Sequence, residues 1–199
     1  GSIRVYNSEG NLSQEAYSGD GITIDVSPPV SGTIIEGDTI DIDYTSNAET
    51  LQLTWSGFRD DTTNTFSGLS HYEYGLGTSS GADDMVSFTE TTDTSAVLEA
   101  DLVDGTTYYG IVRAYNVAGN VSETISGDGV MLDISPPEVG SVIDGLEFTA
   151  STTTLSATWS GFSDALSGIQ FYEYSIGTTS GGTDVVDWTD VDLDTTMID

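Results

Sequence analysis

The amino-acid sequence predicts an all-β chain of tandem β-sandwiches, one complete and two partial. Three observations predict it: apolar residues alternate with period two, turn-forming segments recur at short spacing, and the chain repeats itself. Residues 3–29 (IRVYNSEGNLSQEAYSGDGITIDVSPP) match residues 111–137 (IVRAYNVAGNVSETISGDGVMLDISPP), and residues 155–188 restate residues 51–88. Pro28 pairs with Pro136 and Tyr72 with Tyr172, a period of roughly 100–108 residues. A period this long means domains with their own cores, not a solenoid of short units. The expected division is the tail of one unit (1–27), a complete unit (28–135) and the head of a third (136–199).

Each element follows in order. Residues 1–27 read as about the last two strands of a sandwich. Pro28-Pro29 fixes φ and restricts the residue before it, giving a stiff, extended junction. In 51–55, Leu51, Leu53 and Trp55 share one face and Gln52 and Thr54 the other. In the next strand Tyr72, Tyr74 and Leu76 lie together, with His71 and Glu73 opposite. This is the half-buried strand pattern. The segments VDGTT (103–107), NVAGN (116–120) and SGDG (126–129) supply turns. Pro136-Pro137 marks the second boundary. Beyond it Leu155, Ala157 and Trp159 repeat the apolar face, and Tyr172 and Tyr174 repeat the tyrosine pair. Several short strands per roughly 100 residues with such turns describe a sandwich.

Composition narrows the function. Three Lys+Arg against 33 Asp+Glu give a net charge of -30. Such a surface repels nucleic acid and anionic membrane and suits an extracellular face, high salt or divalent cations. Its self-repulsion costs stability that salt or bound cations would offset. Cysteine is absent, so no disulfide supports the fold, as is common in bacterial surface proteins. No lysine is present to form a Lys–Asn isopeptide bond. No apolar run approaches the ~18–20 residues of a membrane span, so no direct membrane insertion is expected. A signal segment, if the protein is secreted, is expected upstream of Gly1.

The Trp55 strand, the YEY of 72–74, and the run from Leu102 through TTYYGIVRAYNVAG resemble a fibronectin type III domain. In that family a Trp packs in the core, a Leu six residues before a Tyr forms the tyrosine corner, and a V-R-A-x-N-x-A-G run makes a strand and its turn. Trp55, Leu102, Tyr108, Val112, Arg113, Ala114, Asn116 and Gly119 stand in those roles. The resemblance covers 28–135 and, through self-similarity, both partial units. It is nearest to the tandem repeats of giant bacterial surface and adhesion proteins. The Gly/Ser-rich acidic stretch GLGTSSGADDM (75–85) departs from the family pattern.

No constellation points to catalysis, and no enzymatic activity is expected. His71 is alone, and the pairs Asp60/Asp61 and Asp83/Asp84 sit in Gly/Ser/Thr loops without an apolar pocket, so they read as solvated turn residues. Hard cations take six to eight oxygens. The resembling topology brings the linker, the loop near 60 and the 116–120 turn to one pole. Asp25, Asp60, Asp61, Asn116 and Asn120, with Asp133 and Asp164 in the next unit, are therefore the candidate ligands of a junction calcium ion. A hairpin turn with Asp25 capping a strand end is the competing reading. Glu73 and Arg113 are expected to pair across strands. Tyr109, Ile111 and Tyr115 form a candidate contact face for a glycan or protein, or a stripe covered by its neighbours. Asn11-Leu12-Ser13 and Asn120-Val121-Ser122 match the N-glycosylation pattern.

The partial units at either end predict two arrangements. The chain is a window from a long repetitive polypeptide, or residues 136–199 of one copy and 1–27 of the next complete one domain by strand complementation. The expected function is a semi-rigid spacer in an extracellular filament or bacterial adhesin stalk, with neighbouring copies of the repeat as partners. The alternative is a carbohydrate- or protein-binding module of a secreted bacterial protein engaging a cell-surface ligand.

Overall fold

Every regular element in the computed structural model, which describes residues 1–63 and 66–198, is a strand. A short hairpin opens the chain, β1 (Ser2–Ile3) with β2 (Ala16–Tyr17). The central copy follows with β3 (Thr33–Glu36), β4 (Tyr44–Thr45), β5 (Thr50–Ser56), β6 (Leu69–Gly77), β7 (Val86–Thr91), β8 (Ser95–Glu99), β9 (Thr107–Asn116), β10 (Ile125–Ser126) and β11 (Val130–Leu132). The last copy contributes β12 (Ser141–Ile143), β13 (Ser156–Ser160), β14 (Glu173–Ile176), β15 (Val186–Asp190) and β16 (Thr196–Ile198). No helix among the described residues is long and apolar enough to cross a membrane.

The residues gather into two compact units. The first comprises Gly1–Asp41, Leu51–Leu98 and Tyr109–Gly129. Here β5 pairs with β3 antiparallel, Ile34 opposite Trp55, and β8 completes a three-stranded sheet. The facing sheet is built on β9, which pairs antiparallel with β6 and β10, and β7 lies on the far side of β6. Leu51, Leu53 and Trp55 are buried, as are Leu76, Val112 and Ala114, so the period-two face of the sequence is the core face. Trp55 packs edge-on to Tyr72 (ring centroids 5.8 Å) and stacks on Tyr74 (5.7 Å). Between the sheets a Cβ at Gly110 would lie 2.5 Å from Leu53 Cδ2, so any side chain there would displace Leu53.

The second unit comprises Ile42–Thr50, Glu99–Tyr108 and Val130–Asp199. The start of β9 pairs with β11, which runs parallel to β4. Leu102 and Tyr108 are buried, and the Tyr108 hydroxyl accepts the Val103 N–H at 2.8 Å. That bond ties the 103–107 turn to the strand leaving it, the geometry the sequence motif implies. In the last copy β13 pairs with β12 and β16, and β14 pairs with β15. Trp159 stands edge-on to Tyr172 at 5.9 Å, reproducing the Trp55–Tyr72 pair, and Tyr174 lies on β14.

One expectation about β9 is corrected. Ile111 shares the alternation of Tyr109 and Tyr115, yet it is 0% exposed and cannot be part of an open contact face. Its strand is flanked on both sides, by Gly75 of β6 and Ser126 of β10. A Cβ at Gly75 would lie 3.3 Å from Ile111 Cδ1, so the isoleucine side chain lies over that bare backbone. Tyr109 and Tyr115 are half-buried.

Candidate functional site

The chain's most organised polar chemistry sits where the linkers meet the loops. In the first unit Asp25, in the linker before Pro28-Pro29, reaches the loop that follows β5. Its Oδ2 accepts the Ser67 N–H (2.9 Å), the Ser67 hydroxyl (2.7 Å) and the Asn116 side-chain amide (3.0 Å). Its Oδ1 accepts the Ser27 N–H at 3.0 Å. Asp60 comes in from the same loop. Its Oδ2 takes the Ser67 and Gly68 N–H groups at 2.9 and 2.6 Å, and its Oδ1 takes the Asp61 N–H and the Asn116 amide at 3.1 and 3.2 Å. Asn116 also donates to the Ser27 carbonyl, and Asn120 to the Asp25 carbonyl. The structure thus brings Asp25, Asp60, Asn116 and Asn120 together. Asp61 turns away and accepts the backbone and hydroxyl groups of Thr63.

Asp60 departs from the solvated turn residue that the sequence suggests. It is buried, which pushes its pKa up, but donors from Gly68, Asn116, Ser67 and Asp61 outweigh burial and hold the carboxyl below the usual aspartate range. For Asp61 the Thr63 backbone and side-chain donors dominate, again lowering it. The donor set bears on a junction cation. Backbone N–H and side-chain amide groups converge on the same carboxylate oxygens that calcium would need, and N–H dipoles repel a cation. As arranged, these residues form a hydrogen-bonded clip.

The second unit repeats the clip at the next linker. Asp133 Oδ2 accepts the Ser167 N–H at 3.0 Å, and Asp164 Oδ1 accepts the Leu166, Ser167 and Gly168 N–H groups at 2.9–3.0 Å. The Ser167 side chain is the largest influence lowering the Asp133 pKa, helped by the Ser135 and Ser167 N–H groups. This linker is also held from behind. Asp104, in the turn after Leu102, accepts the Ile134 N–H at 3.0 Å and the Ser135 hydroxyl at 2.7 Å. A Cβ at Gly105 would lie 3.7 Å from Leu166, so the two flanking loops are neighbours. Sequence reasoning missed Ser67, Ser167 and Asp104. The recurrence of Ser-Gly after both acidic loops (67–68 and 167–168) was the available signal for the serines.

The outward face of β9 is internally partnered. Arg113 Nε donates to Glu73 Oε2 at 2.7 Å, directly across from it in β6, and the guanidinium lies 4.0 Å over the Phe88 ring. The Tyr115 hydroxyl donates to the same Glu73 oxygen (3.0 Å), and His71 stacks on Tyr115 at 4.6 Å. Burial, then the bond to Glu73, raises the Tyr115 pKa. The glycosylation-type serines have structural roles. Ser13 and Ser122 hydroxyls accept the Val5 and Ala114 N–H groups at 2.9 and 3.0 Å. In the acidic stretch 75–85, Asp84 accepts the Thr78 hydroxyl and N–H, which lower its pKa, and Asp184 does the same with Thr178.

No protein-family model and no curated protein sequence matches the chain. Among solved structures it is similar to the chitinase ChiA74 from Bacillus thuringiensis, at 20% identity and a TM-score of 0.39, over 71% of this chain and 18% of that one. It is also similar to the FN1–FN3 domains of chicken CNTN1, at 15% identity and a TM-score of 0.40, over 98% of this chain and 64% of that fragment. The chain's own sheets make it an all-β protein.

Proposed function

We propose that this chain is a semi-rigid structural spacer, a stretch of tandem repeats from a secreted or surface-displayed bacterial protein, with neighbouring copies of the repeat as its partners. One observation carries the reading: the Asp133–Ser135 linker is hydrogen-bonded from both sides, by Asp104 behind it and by Ser167 ahead. A linker so held resists bending, because any hinge motion must break several charge-assisted hydrogen bonds at once. The recurrence of the forward clip at Asp25 supports a stiffness set once per repeat. Period and charge agree with this role, since a strongly anionic surface keeps long tandem chains soluble and apart.

Spin labels test it directly, because the chain has no native cysteine. With labels at Asp101→Cys and Thr189→Cys, the distance distribution is expected to be narrow. It should broaden when Asp133→Ala or Ser167→Ala is added. A distribution equally broad with and without the clip would remove stiffness from the function.

A further inference from the structure

Away from the linkers, three carboxylates of the first unit meet at the turn between β10 and β11. Glu36, the last residue of β3, is 0% exposed. Its Oε1 accepts the Gly110 N–H at 2.8 Å, whereas its Oε2 is buried with no hydrogen-bond partner. Asp41 approaches from the same segment, its Oδ1 accepting the Glu36 N–H at 2.9 Å. Asp128 comes from the SGDG turn. One carboxylate oxygen from each of the three lies within 4.8 Å of the other two. The turn rests on Glu36 itself: a Cβ at Gly127 would collide with both Glu36 carboxylate oxygens, so a side chain there would displace the carboxylate.

No basic side chain neutralises this cluster. The chain has three. Arg4 pairs with Glu15, Arg113 pairs with Glu73, and Arg59 lies beside Asp61. A buried carboxylate with one oxygen lacking any donor, set beside two more carboxylates, is expensive unless a cation or a proton joins it.

We propose that Glu36, Asp41 and Asp128 bind one hard divalent cation, calcium. The spacing allows a single ion with calcium's bond lengths of roughly 2.3–2.6 Å to touch all three, and Asp41 and Asp128 are exposed, leaving its remaining positions to water. Calcium suits the buried Glu36 oxygen better than magnesium, which gives up its waters reluctantly. The contrast with the linker clip is chemical: there N–H donors fill the carboxylate lone pairs, and here one oxygen is left bare. By self-similarity Asp144 stands where Glu36 does and Asp20 where Asp128 does, so two of the three carboxylates recur along the chain.

Calcium titration of the chelator-treated full chain tests this, read by calorimetry and by melting temperature. The expected result is saturable binding and a rise in melting temperature. Asp128→Asn and Glu36→Gln should each weaken affinity at least tenfold, while Asp25→Asn in the clip leaves it intact. In chelator alone, Glu36→Gln should melt higher than the native chain, because the unneutralised charge is gone. Should Glu36→Gln not fold, the exposed Asp128→Asn variant decides. Absence of saturable binding up to about 10 mM calcium, well beyond the range of extracellular modules, would overturn the proposal. So would binding that survives Asp128→Asn but is lost with Asp25→Asn.

Discussion

Residues 51–55 and 155–159 carry the same strand pattern, yet they are buried very differently. Leu51 is 2% exposed and its counterpart Leu155 is 46% exposed. The ends of the repeat differ more sharply: Val130 is 0% exposed, and Ile22, its match in the first copy, 94%. Local geometry nevertheless survives in all copies. The hairpin of residues 7–11 repeats the closing bonds of 116–120, with the Asn11 N–H on Asn7 Oδ1 and the Asn120 N–H on Asn116 Oδ1, both at 2.8 Å. Trp159 N–H reaches the Thr195 carbonyl as Trp55 N–H reaches that of Thr94. Turns and ladders are thus set by short-range chemistry. Burial requires the opposing sheet, which in the central copy is supplied by β6, β9 and β10.

The two tryptophans should separate the copies most. Trp55→Ala should cost about 3–5 kcal/mol, the range for an aromatic removed from a packed core, and Trp159→Ala under about 3 kcal/mol because its strand is partly open. Urea denaturation followed by circular dichroism measures both, and equal losses would mean the last copy is as well packed as the central one. The tyrosine corner comes next. Tyr108→Phe removes the acceptor of the Val103 N–H and should cost about 1–2 kcal/mol, detected as a lower midpoint with an unchanged m-value.

Acid should affect the clips of both units together. The folded-state pKa values of Asp60 and Asp133 are depressed, so their stabilisation is present above the ordinary aspartate pKa of about 3.9 and is lost as pH falls through the lowered folded values. Melting between pH 6 and pH 2 is expected to show this loss, and Asp60→Asn should flatten it in the first unit only. Glu36 has the opposite sign. Burial, with repulsion from Asp41 and Asp128, raises its pKa against the Gly110 bond, so its contribution is fully present below the ordinary glutamate pKa and is lost as pH rises through the raised value. The smallest effect belongs to Glu73 and Arg113, half-buried on the β9 face. A double-mutant cycle should return no more than about 1 kcal/mol, salt-dependent.

The all-β class, the repeat, the core face of Leu51, Leu53 and Trp55, the tyrosine corner and the cross-strand Glu73–Arg113 pair were legible in the sequence. Each follows from a period or a motif a few residues long, because strand alternation and turn chemistry act locally. The sequence also pointed to Asp25, Asp60, Asn116 and Asn120 as neighbours, through the topology its family resemblance implied. What those groups do together was not legible. Whether a carboxylate faces N–H donors or another carboxylate depends on how loops distant in sequence fold onto one another, and Asp60 and Glu36 are both simply acids in turn-rich segments. Tertiary structure alone decided that Ile111 lies under cover, that Asp104 and Ser167 hold the second linker from both sides, and that Glu36 is buried beneath the Gly127 turn. The physical reason is common to all three: burial and partner choice are set by the second surface, which no local pattern encodes.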